Sequence, residues 1–167
     1  MKTSKILAAL FFVASAISFA ACSDKEDEPQ PQPQPQPQPV KIELDGTAWE
    51  GSVSNTYSFM GYTMNVDMFR SFDFSSQTQG IAFVEFNIVV PQYPESSYGD
   101  IYEDPFTYAI SDDTITVIRP YNMIEKLVYN SADSTLFLVV PDEEDPEMGI
   151  SLREVLGTDK IVLKRVH

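Results

Sequence analysis

Three consecutive runs of apolar–polar alternation constrain this chain of 167 residues more than any other feature. From Trp49 to Phe59 the odd positions read Trp, Gly, Val, Asn, Tyr and Phe, while the even ones carry Glu50, Ser52, Ser54, Thr56 and Ser58. From Met64 to Phe74 the even face is Met64, Val66, Met68, Arg70, Phe72 and Phe74, opposite Asn65, Asp67, Ser71 and Asp73. Ala82, Val84, Phe86, Ile88 and Val90 share one face of the third run, which Pro91 ends. Side chains on a strand point to alternate faces, so a period of two marks a half-buried strand. Short turns between the runs, such as Ser75–Gly80, predict an antiparallel meander.

Beyond the meander, residues Pro91–Asp104 read as a long polar loop carrying Tyr93, Tyr98 and Tyr102. Shorter strands are predicted over Phe106–Ile110, Ile115–Ile118, Ile124–Tyr129 and Leu136–Val140, and Ile161–Val166 closes the chain. Ile150–Leu156 reads as one or two helical turns before Gly157. Eight strands in sequence order suit an all-β, up-and-down antiparallel barrel, which removes the exposed edges of an open sheet. Such a barrel holds packed side chains or one small ligand. A two-sheet β-sandwich is the alternative, and periodicity alone does not separate the two.

The amino-terminal segment carries an address. Lys2 and Lys5 precede an apolar run from Ile6 to Ala14, which continues with two serines to Phe19, and small residues then lead to Cys22, the only cysteine. A charged start, a short apolar core and small residues before a cut make a secretion signal rather than a membrane span. Ala20-Ala21-Cys22 resembles the lipobox of bacterial lipoproteins, with Phe19 where that box usually has Leu. The resemblance implies a signal peptide over residues 1–21 and diacylation of Cys22, hence a membrane partner reached through lipid. Residues 22–39 form the tether: a short acidic stretch to Glu28, then a Pro–Gln alternation to Pro39. Proline at every second position removes donors and fixes φ, so this stretch is an extended spacer. An acidic patch after the lipidated Cys resembles the surface-export signals of some Gram-negative bacteria. An outer-membrane, surface-exposed location is therefore expected, with a periplasm-facing one as the alternative.

The remaining residues, 40–167, suit a single domain. They hold 21 acidic residues against eight Lys and Arg, a net of −13. That charge repels phosphate backbones and argues against nucleic-acid binding. With Cys22 acylated, no thiol remains for a disulfide.

Gly46-Thr47-Ala48-Trp49 opening the first strand, with Leu163-Lys164-Arg165-Val166 in the last, resembles the lipocalin-like domains of small bacterial lipoproteins. The spacing before the Trp is one residue longer than the Gly-x-Trp of lipocalins. The resemblance implies that Trp49 packs at the closed end of the barrel, under Arg165.

Catalytic signatures are absent. The only histidine is His167, the last residue, which removes His-based triads and multi-His metal sites. No glycine-rich phosphate cradle occurs, and Glu85 lacks the partner that a glycosidase acid needs. Arg70 is the sharpest signal, since it interrupts an apolar face. A buried guanidinium needs a carboxylate, carbonyls or a ligand. Glu85 on the next strand is one candidate partner; otherwise an acidic ligand is expected. Tyr93, Tyr98 and Tyr102 read either as a stacking platform or as a lid over the core. The cluster Asp142–Glu147 lacks the spacing of a calcium loop and reads as solvated. The expected function is non-catalytic binding of a small molecule or glycan without cofactor or metal. A protein-interaction module, such as an adhesin, inhibitor or accessory subunit, is the alternative.

Overall fold

Alternation over long runs gives long strands here. The computed structural model describes residues 41–146 and 149–166, and the leader, Cys22, the tether, Glu147 and His167 lie outside these described residues. The strands are β1 (Thr47–Phe59), β2 (Tyr62–Phe74), β3 (Gln79–Val89), β4 (Tyr98–Ser111), β5 (Thr114–Arg119), β6 (Met123–Asn130), β7 (Thr135–Val139) and β8 (Lys160–Arg165). They pair in that order into a closed barrel, each neighbour antiparallel and β8 returning to β1. The protein is thus an eight-stranded up-and-down barrel of the lipocalin-like kind, and the sandwich alternative falls.

The wall is uneven. Strands β1 to β4 run 13, 13, 11 and 14 residues, whereas β5 to β8 run only 6, 8, 5 and 6. β4 pairs with β5 only through Thr107–Ser111, so no strand among the described residues pairs with the other edge of Tyr98–Phe106. β1 meets β8 through just two register pairs, Trp49↔Arg165 and Glu50↔Lys164. Met60 and Gly61, both at positive φ, make the two-residue turn between β1 and β2 whose twist matches the strands.

The lower, complete half of the barrel is close-packed. Phe72, Phe74, Phe106, Ile115, Leu127, Leu136 and Leu163 are all buried there. The Phe74 ring lies 5.0 Å from Tyr108 and 5.4 Å from Phe106, edge-on in both cases. Such pairs contribute about 0.5–1.5 kcal/mol each beyond their burial. Trp49 is buried, and its indole Nε1 donates to Thr47 Oγ1 at 2.8 Å. The Thr47 hydroxyl in turn donates to the Leu44 carbonyl at 2.6 Å, which folds the entering chain under the barrel.

The upper half is covered on one side by the segment between β7 and β8. Its described residues include one short helix, α1 (Leu152–Leu156), within the stretch predicted to be helical. Ser151 starts it with a capping box: its hydroxyl accepts from the Glu154 amide while Glu154 accepts from the Ser151 amide. Gly157, at φ 65°, ends it in the left-handed conformation that glycine adopts without a Cβ penalty.

One expectation fails in this region. Tyr98 and Tyr102 lie on β4, not in a loop; only Tyr93 keeps its loop position. The inward positions of this half of β4 are Tyr98, Asp100, Tyr102 and Asp104, so no apolar face existed to announce the strand.

Candidate functional site

The inner face of β2 orders the interior from bottom to top. Phe74 and Phe72 belong to the packed core, Arg70 follows, and Met68, Val66 and Met64 rise towards the open end. Arg70 is buried, as the alternation predicted, but its partner is not Glu85. In the β2–β3 register Glu85 stands opposite Phe69, and directly opposed residues share a face, so Glu85 lies on the outer side. The Arg70 guanidinium instead forks onto Glu125 of β6, at 2.8 Å to Oε1 and 2.9 Å to Oε2. It also lies 5.1 Å from the centre of the Phe72 ring.

Glu125 is shared. Arg119, buried at the end of β5, donates to Glu125 Oε1 at 3.3 Å and pairs closely with Asp104 of β4. Two guanidiniums thus face two carboxylates in a neutral layer between the packed core and the space above it. A protein carboxylate reaches Arg70, so the acidic ligand expected in its absence has no unpaired cation to meet there.

Above this layer is a cavity of about 560 Å³, open to solvent. Its walls are Met64 and Val66 of β2, Phe86 and Ile88 of β3, and Leu152 and Val155 of the helical segment. Asn55 on the inner face of β1 holds that segment in place by donating through Nδ2 to the Val155 carbonyl at 2.9 Å. Phe59 lines the mouth together with Glu143, Glu144 and Asp145. Arg153, the nearest cation in sequence, donates to Asp142 at 3.0 Å and to the Val140 carbonyl at 3.1 Å. Among the described residues, no group of three or more His, Cys, Asp or Glu side chains is arranged to hold a metal ion.

The three tyrosines do not form one platform. Tyr93 packs edge-on against Tyr62, ring centres 5.7 Å apart. Tyr98 and Tyr102 both donate to Asp100 Oδ2, at 2.8 and 2.5 Å, and the Ile101 amide donates to Oδ1 at 2.8 Å. The Tyr102 phenol, then Tyr98 and the Ile101 amide, hold the Asp100 carboxyl below the usual carboxylate range. The same Asp100 contact, with Tyr98 adding to it, pushes the Tyr102 phenol far above an ordinary tyrosine. Arg165 stands opposite Trp49 in the β1–β8 register with its side chain exposed, while Tyr129 packs edge-on against the indole, 6.4 Å between ring centres.

Sequence reasoning missed Asp104, Arg119, Glu125 and Asn55. Each is a polar residue at an inward position of its strand, the signal that singled out Arg70. Asn55 was visible in that way on the odd face of β1. The comparisons add nothing to this geometry: no family model, curated protein or solved structure matches the chain.

Proposed function

We propose that this is a lipid-anchored cell-envelope protein, tethered through Cys22 at the outer membrane, whose barrel holds a small molecule without transforming it. The observation that carries the binding reading is the apolar cavity above the Arg70 layer. At about 560 Å³ it falls within the size range of small-molecule sites, and its walls are the side chains such sites use. Those walls favour an apolar occupant over a glycan, which needs more hydrogen-bonding groups.

The test is binding of a neutral apolar dye such as Nile red to the full chain and to Ile88→Trp. The larger side chain fills the cavity, and dye binding is expected to be lost while the circular dichroism of the barrel is kept. Equal binding by both proteins would remove the cavity from the account. For the anchor, Cys22→Ala is expected to block acyl labelling in cells and release the protein from membranes.

A second reading, a protein-interaction module, is favoured by the outer face of β2 to β4. Phe69 and Phe83 meet there edge-on at 5.9 Å, with Ile81 and Ile101 exposed beside them. Replacing Ile101 by Lys discriminates the readings, since it leaves the cavity untouched while placing a charge on that face.

A further inference from the structure

We propose that the occupant of the cavity is a cationic amphiphile: an apolar chain or ring system that carries one ammonium or quaternary ammonium head. This rests on the binding function proposed above and adds the charge of the ligand.

The apolar part follows from the walls. Met64, Val66, Phe86, Ile88, Leu152 and Val155 offer an aliphatic and aromatic surface with no charged side chain. The head follows from the mouth. Glu143 and Glu144 stand there exposed, and neither makes an ion pair with a described residue. The buried arginines and the arginine of the covering segment are engaged elsewhere. Arg153 is turned to Asp142 and the Val140 carbonyl, and Arg70 and Arg119 are matched against Glu125 and Asp104 below. On the neighbouring strand Asp100 stands opposite Phe86, on the same face of the sheet, and adds a further negative charge on that side. Phe59 lines the same mouth, and an aromatic face attracts quaternary ammonium groups. An anionic amphiphile such as a fatty acid would bring its carboxylate against Glu143 and Glu144, and no Lys or Arg is among the described residues that line the cavity.

The proposal is tested by calorimetric titration of the full chain with dodecyltrimethylammonium and with dodecyl sulfonate, both below their micelle thresholds. The same titrations are run on the double variant Glu143→Gln/Glu144→Gln and on Ile88→Trp. The two glutamates are exposed, so the double variant is expected to fold. An exposed ion pair changes affinity by up to about fivefold, so the ammonium probe is expected to bind roughly five- to tenfold tighter than the sulfonate. That preference is expected to vanish in the double variant and to shrink as salt is raised. Equal binding of the two probes overturns the proposed charge while leaving the cavity's binding function standing. A preference that survives in the double variant also overturns it, because these carboxylates would not be its source. Binding of neither probe beyond that of Ile88→Trp overturns both the charge and the function on which it rests.

Discussion

At the scale of single residues, the most consequential group is Glu125. It carries both oxygens to Arg70 and shares one with Arg119, all three side chains largely out of water. Removing one member of a buried ion pair costs about 3–5 kcal/mol, because it strands the opposite charge, whereas removing both can be neutral. Glu125→Leu is therefore expected to lower unfolding free energy by about that much, and Arg70→Met/Glu125→Leu to recover a large part of it. Chemical denaturation of the two single variants and the double one measures the coupling; additive effects would contradict the geometry. Asp100 offers a second residue-level expectation. Its folded-state carboxyl is depressed, so the stabilisation it gives is present above the ordinary carboxylate range and lost as pH falls through the lowered value. The Tyr102 phenol is raised, so its contribution is fully present below about pH 10 and lost only as pH rises through the raised value. Asp100→Asn should bring one tyrosine back to titrating near pH ~10, read by ultraviolet absorbance. An unchanged alkaline titration would disconnect the two groups.

At the scale of elements, legibility followed the apolar face. β1, β2 and β3 were readable because each keeps one apolar side along most of its length, and their register confirms that those sides point inward. The first half of β4 was not, because its inward positions are polar and Pro105 resembles a loop signal. That proline sits where β4 is laddered to β3 alone, a position at which a strand tolerates it. Arg70 was legible as a buried charge, yet its partner was not, since Glu125 comes from a strand that only barrel closure brings across. The exposed edge of β4 is itself guarded: Asp100 and Glu103 would meet like charges if two copies paired along it. Gly51 is the element-level position where one methyl group matters most. A Cβ there would stand 2.1 Å from the Val162 carbonyl oxygen, a backbone atom that cannot swing away. Gly51→Ala should push β8 off β1 and cost about 1–3 kcal/mol or more, with amide exchange rising first in β8. Protection unchanged across β8 would show that the two strands tolerate more distance than the packing suggests.

At the scale of the whole molecule, the barrel combines a tightly packed base with a half-walled upper chamber, separated by a layer of balanced charge. The base is filled by its own buried side chains, while the chamber keeps apolar walls in reach of solvent. On the binding reading proposed above, mutations in Phe72 or Leu163 are expected to change stability and those in Ile88 to change binding, two readouts that can be scored separately. The brief β1–β8 ladder also has a mechanical consequence. Because it joins the first strand to the last in antiparallel sense, the entering end of β1 and the leaving end of β8 lie side by side. A load applied across the two termini would peel that junction one rung at a time instead of shearing all rungs together. In an optical trap, handles on Lys41 and Val166 should therefore open the barrel at low force. Handles on Met60 and Val166, which pull along the junction, should meet a distinctly higher rupture force. The barrel would thus be soft along one axis and stiff along another.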